Sequence, residues 1–202
     1  MEIHSYPSQS ETVCYNEGED RDSLLYDAIA LANNRGGTIY CGINRKGKVR
    51  GIEPDAVVKS FEFRLKECAN SEISWTWDKV IINSKLIVII QIDESTKLIS
   101  LDCNAGDKKV YYRLQEHTVL ASKIIVRLIH LKKGKLQIEV SVDSEDVNRI
   151  IDEVHSTAGI TLSQLYKKVD LPKSKIDSIL PDLLFIGEIG LRWNNDSIEF
   201  IS

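Results

Sequence analysis

Two adjacent glycines, Gly36-Gly37, join an apolar helical stretch to a short β-branched run, and that junction constrains the chain more than any other feature. Upstream, Ala28-Ile29-Ala30-Leu31-Ala32-Asn33-Asn34 reads as the end of a helix. Downstream, Thr38-Ile39-Tyr40-Cys41-Gly42-Ile43 reads as a buried strand. Gly36 can take the left-handed conformation that terminates a helix, and Gly37 lets two elements approach closely. Asn44-Arg45-Lys46-Gly47 then makes a cationic turn, and Lys48-Val49-Arg50-Gly51-Ile52 returns as a second strand. Five cations, Arg35, Arg45, Lys46, Lys48 and Arg50, surround the corner. Because the glycines follow a helix, they lie at the negative end of its dipole, which repels phosphate. No GxxxxGK[ST] sequence occurs, so the corner reads as a tight helix–strand turn and conventional ATP hydrolysis is disfavoured.

A chain of 202 residues can hold one ordinary domain plus a small one, and 43% hydrophobic content is enough for a core. No uninterrupted apolar run is long enough to predict a membrane span. The start, Met1-Glu2-Ile3-His4-Ser5, lacks the basic-then-apolar pattern of an export signal, so a cytoplasmic location is expected. Cys14, Cys41, Cys68 and Cys103 form no CxxC pair and the histidines are scattered. They read as reduced core thiols, with no metal and no cofactor expected. The net charge of -4 is uneven: residues 145–202 carry ten acids against six bases, while residues 103–135 hold eight Lys or Arg against Asp107 and Glu116. A basic face on an acidic protein suits nucleic acid or an acidic partner.

Periodicity predicts a helix over about 22–34, strands at 38–43 and 48–52, and a helix from Pro54 to about residue 69. Ile73, Trp75 and Trp77 share one face of a following strand, and 86–92 is apolar enough for a central one. Strands at 109–114 and 118–120 are expected to complete the sheet. Ser122 caps a further helix, and a short strand at 136–140 ends a first domain of residues 1–140. The second domain, 141–202, reads as helices at about 145–156, 162–168 and 173–186, then a hairpin around Asn194-Asn195-Asp196. Three helices followed by a hairpin describe a small winged helix-turn-helix domain.

The block from Ala28 to Asn33, with Gly36-Gly37-Thr38-Ile39, Gly42-Ile43-Asn44, Gly47, Val49 and Gly51-Ile52, resembles the conserved segment of the AlbA_2, or Schlafen-like, domain family. Val110-Tyr111-Tyr112-Arg113 with Thr118-Val119 and Ala121 is similar to the same family's tyrosine–arginine strand. The resemblance covers about residues 8–130 and implies an α+β fold, a mixed sheet with flanking helices. It also implies DNA binding and transcriptional regulation, with a divergent-ATPase description attached to part of the family. Asn33, Gly36, Gly37, Gly42, Gly47 and Gly51 are its structural signature here. Where nuclease relatives place two acids that take part in RNA cleavage, this chain has Gln9 and Cys14, with Asn16 at the usual lysine. Gln9 coordinates weakly and a thiol is a poor magnesium ligand, so no catalytic residue is assigned.

Candidate nucleic-acid contacts are therefore Arg35, Arg45, Lys46, Lys48 and Arg50 around the corner, with Lys108, Lys109 and Arg113 extending the same surface. Lys123 and Arg127 would follow on a helix. In the winged helix the recognition helix falls on 173–180, with Lys173, Ser174, Lys175 and Ser178 outward. Asp177, Asp182 and Glu188 oppose phosphate, and Arg192 is the one clear cation of the wing. Trp75 and Trp77 suit packing against a helix better than base stacking. The expected function is a non-enzymatic nucleic-acid-binding regulator, DNA favoured over RNA, working as a homodimer. A metal-dependent nuclease or nucleotide-binding enzyme, and a protein-docking module acting through the winged helix, stay open as alternatives.

Overall fold

The computed structural model describes residues 6–18, 20–102, 108–140 and 144–202, and the chain divides into two compact units, 1–120 and 121–202. The first is built on four strands, β1 (Val13–Asn16), β2 (Gly37–Cys41), β3 (Trp75–Ile82) and β4 (Lys85–Ile92), in the order β1-β2-β4-β3. β1 pairs with β2 in parallel, and β2–β4 and β4–β3 are antiparallel. Helix α1 (Arg21–Asn33) buries Leu25, Ala28, Ile29, Ala30, Leu31 and Ala32 completely, so it is apolar nearly all round. Such a helix must be covered on several sides. It packs on the sheet, on α2 (Pro54–Cys68) and on a hairpin of β5 (Tyr111–Leu114) and β6 (His117–Leu120).

The glycine corner takes the expected form. Gly36 N donates to Leu31 O at 2.9 Å with φ 68°, closing the last turn of α1. A Cβ on Gly36 would sit 2.6 Å from Ile92 O, and one on Gly37 would sit 2.3 Å from Thr12 O. The corner is thus wedged between β4 and Thr12, the residue before β1, and only hydrogen fits.

Two sheet expectations are corrected. β5 and β6 form their own two-stranded sheet, with Tyr111 stacked on Tyr26 of α1 at 4.3 Å, and do not join the main one. Residues 48–52 form no strand. Arg50 N and Gly51 N both donate to Gly42 O, and Ile52 N turns away to Leu86 O, so only the Ile43–Val49 bridge survives. Trp75 packs edge-on to Phe61 of α2 at 5.0 Å, while Trp77 stays half-exposed.

The second unit comprises α3 (Lys123–Lys132), α4 (Glu145–Ser156), β7 (Ile160–Thr161), α5 (Leu162–Lys168), α6 (Lys173–Ile186), β8 (Gly190–Asn194) and β9 (Ser197–Ile201). Ser122, Ser144 and Thr161 cap their helices, the last in a reciprocal capping box with Gln164. Asn195 and Asp196 both have positive φ, the turn a two-residue hairpin needs. β9 pairs with both β7 and β8. α3 packs on α6 within this unit, whereas a first domain of 1–140 would assign it to the N-terminal part. The expected strand at 136–140 is absent, because Glu139 N and Val140 N donate to the Asp182 carboxylate at 2.8 and 3.2 Å rather than to a strand.

Candidate nucleic-acid interface

The segment after β2 is a closed loop held from several directions. Asn44 Oδ1 accepts from Lys46 N at 3.0 Å and Lys48 N at 2.8 Å, while Gly47 N donates to Asn44 O at 2.8 Å. Tyr6 donates its hydroxyl to Gly47 O, and Lys85 Nζ donates to Val49 O at 3.2 Å. Gln9 joins the loop to β1: its Nε2 donates to Arg45 O at 3.1 Å and its Oε1 accepts from Tyr15 N at 3.2 Å. The position read as a degenerate acid is therefore a clamp. With the backbone fixed, Arg45, Lys46, Lys48 and Arg50 project as exposed side chains along one wall of a cleft of about 610 Å³. Arg50 lies 3.9 Å from Glu17; Arg45, Lys46 and Lys48 make no ion pair among the described residues.

The rest of the lining, the second wall, is polar and acidic, with Asn16, Glu17, Asp20, Ser23 and Asp27. Asp27 lies on α1, and its Oδ2 accepts from Asn16 Nδ2 at 3.0 Å while its Oδ1 accepts from Thr118 Oγ1 at 2.5 Å. Burial pushes the Asp27 carboxyl above the usual carboxylate range, against the lowering effect of those two hydrogen bonds and of Arg113 and Arg45. The sequence reading missed Asp27. Its signal was an acid inside a helix otherwise apolar on nearly every side.

Arg113 is corrected from a surface cation to a core residue, 2% exposed. Its Nη2 donates to Ser10 O at 2.6 Å and Val13 O at 3.2 Å, and its Nη1 to Thr118 Oγ1 at 3.0 Å. It ties β5 to the start of β1 and cannot reach a phosphate in solvent. Arg35 is exposed, 4.0 Å from Glu11, and Lys108 and Lys109 are exposed; none of the three lines the cleft. Cys14, at the second degenerate acid, is 1% exposed, and burial raises its thiol pKa far above the ordinary value, with Asp27 adding to the effect. Among the described residues no three His, Cys, Asp or Glu side chains cluster to hold a metal ion.

In the second unit Lys173, Ser174, Lys175 and Ser178 are outward on α6, as expected. Lys175 is ion-paired with Asp146 of α4, and Lys173 lies over the Tyr166 ring at 5.3 Å. Burial, reinforced by Asp177, pushes the Tyr166 hydroxyl up to about 12. Asp182 is corrected: it is fully buried and opposes no phosphate, with Arg127 Nη2 3.7 Å from its Oδ1. Arg192 is engaged by Glu199 at 2.6 Å and Ala158 O at 2.7 Å.

The model of the family described as Schlafen, AlbA_2 matches residues 10–122. No curated protein matches the chain. Among solved structures, the DIP2311 protein from Corynebacterium diphtheriae is similar at 10% identity and a TM-score of 0.47, over 94% of this chain and 34% of that one. The chain thus spans about a third of that protein's length. The N-terminal domain of a RecG-related protein from Nitrosomonas europaea is similar at 21% identity and a TM-score of 0.42, over 53% of this chain and 80% of that domain. No helix among the described residues is long and apolar enough to cross a membrane.

Proposed function

This chain belongs to the Schlafen, AlbA_2 family, and from that premise we propose that it is a non-enzymatic nucleic-acid-binding protein, regulatory in role and acting in the cytoplasm. One observation carries the reading: Arg45, Lys46, Lys48 and Arg50 project from a loop whose backbone is already fixed, along one wall of one cleft. Pre-organised cations lose little freedom on meeting a phosphate backbone, and each contact adds affinity without sequence preference. Arg35, Lys108 and Lys109 would add outlying contacts.

Residues 144–202 are read as a winged helix. The internal pairing of Lys175 with Asp146 and of Arg192 with Glu199 favours assembly, as a homodimer or with a protein partner, over base reading by this unit.

The test is binding of labelled DNA and RNA, duplex and single-stranded, at a series of salt concentrations. Phosphate contacts from Arg45, Lys46 and Lys48, with Arg50 held near Glu17, predict a log–log salt slope of about -2.7 on duplex DNA. The combined variant Arg45→Glu, Lys46→Glu, Lys48→Glu should abolish binding, and unchanged affinity in it would sink the assignment of the loop.

A further inference from the structure

Resting on that phosphate-binding reading, we infer that the cleft takes a single unpaired nucleotide, its phosphate on the cationic loop and an amino-bearing base edge against Asp27. The two walls are chemically unlike. One carries Arg45, Lys46, Lys48 and Arg50; the other carries Asn16, Glu17, Asp20, Ser23 and Asp27, with Glu17 3.9 Å from Arg50. A uniform polyanion suits only the first wall. A ligand with a phosphate at one end and hydrogen-bond donors at the other suits both. The volume, about 610 Å³, falls within the range of roughly 300–1,000 Å³ usual for small-ligand clefts.

The hydrogen-bond inventory of the second wall sets the polarity of what it accepts. Both donors of Asn16 are committed, its Nδ2 donating to Ser23 Oγ and to Asp27, while its Oδ1 accepts from Gly18 N and keeps acceptor capacity. Ser23 donates its hydroxyl to Asp20 O and accepts from Asn16. Asp27 accepts one bond on each oxygen, from Thr118 and Asn16. In its ionised form a carboxylate offers about four lone-pair positions, so at a pH where Asp27 is ionised two remain. The open capacity at Asp27 is acceptor capacity. A cytosine, adenine or guanine amino group can fill it with two N–H donors, whereas uracil has only N3–H, flanked by keto oxygens that meet the carboxylate oxygen to oxygen. A paired base keeps one amino N–H on its major-groove edge, but a duplex is far too wide to enter a cleft of about 610 Å³, which is why the occupant is unpaired.

The experiment compares hexamers of deoxycytidine and deoxyuridine, matched in charge and nearly identical in shape, with the mononucleotides dCMP and dUMP as competitors. The parent should prefer the deoxycytidine hexamer by about fivefold or more. Asp27→Asn should erase the preference while keeping salt-dependent binding. Thr118→Val, which loosens Asp27 without removing its carboxylate, should retain it, separating base contact from a purely structural role. Displacement by dCMP at comparable concentration assigns the site to free nucleotides; failure of dCMP with success of the hexamer assigns it to strands. Equal binding of both hexamers, lost in the Arg45→Glu, Lys46→Glu, Lys48→Glu variant, overturns the base contact and leaves the phosphate reading standing. No binding of any of these probes at low salt, with duplex DNA still bound, overturns this inference alone; loss of duplex binding as well overturns the phosphate reading itself.

Discussion

Asn33 and Ile99 exchange two hydrogen bonds: the Asn33 Nδ2 donates to Ile99 O at 2.8 Å, and its Oδ1 accepts from Ile99 N at 2.8 Å. The side-chain amide thus stands in for a neighbouring strand, and Nδ2 also donates to Tyr111 O at 3.0 Å. All three backbone groups depend on a residue only 2% exposed. Asn33→Ala removes three hydrogen bonds to buried and half-buried backbone and should destabilise the first unit by about 2–5 kcal/mol. Urea denaturation with an unchanged m-value is the measurement, and a loss below about 1 kcal/mol would show that water replaces the amide.

The glycines of the first unit should not respond equally to alanine. Gly47, at φ 77°, has its nearest neighbour, Tyr15 Cε2, 3.8 Å from an added Cβ. Its substitution carries backbone strain alone, about 1–2 kcal/mol. Gly36→Ala and Gly37→Ala add contacts at 2.6 Å with Ile92 O and 2.3 Å with Thr12 O, backbone atoms that cannot swing aside. Each should cost at least about 2 kcal/mol more than Gly47→Ala. Thermal melts of the three variants decide it, and equal shifts would show that the corner relaxes freely.

The helices and the glycine corner were legible because their determinants are local. Ser122 is a cap in sequence as in space, and Gly36 needs only its own φ to end α1. The errors came where the partner is distant in sequence. Arg113 looked like a surface cation, yet it donates to Ser10 and Val13, about a hundred positions earlier. Residues 136–140 had a strand's composition, but Asp182 captured the N–H groups a strand would have used. The cationic loop was readable from its charges. Its second wall was not, since Asp27 reaches the cleft from a helix whose side chains from Ala28 to Asn33 are all buried. Gln9 was noticed for the acid it lacks; its work as a clamp on Arg45 O appears only in three dimensions.

Asp27 gives the first unit a pH dependence of defined sign. Burial holds its folded-state pKa above the unfolded value, about 3.9 for an aspartate. Between the two values the folded chain binds the extra proton, so the contribution of Asp27 to stability falls as pH rises through that window. Asp27→Asn removes the titration. The melting temperature of the parent minus that of Asp27→Asn should therefore decline on going from about pH 4 toward neutrality, other carboxylates cancelling in the difference. A constant or rising difference would mean that the Thr118 and Asn16 hydrogen bonds outweigh burial.

Asp182 tests the second unit in the same spirit, with a charge that is fully enclosed. Its Oδ2 takes Glu139 N and Val140 N, and its Oδ1 faces Arg127, whose Nη2 is also 3.3 Å from Glu139. The carboxylate therefore pins the chain after α3 onto α6, immediately beyond Pro181, and offsets the Arg127 charge. Asp182→Ala strips two backbone donors of their acceptor and leaves Arg127 without its buried counter-charge, which should cost about 3–5 kcal/mol. Asp182→Asn keeps an oxygen for both N–H groups and loses only the ionic part, so its loss should be smaller. Amide exchange at Glu139 and Val140 separates the two effects: fast in Asp182→Ala, still protected in Asp182→Asn. If both variants exchange alike, the ion pair with Arg127 and not the pair of N–H bonds fastens this segment.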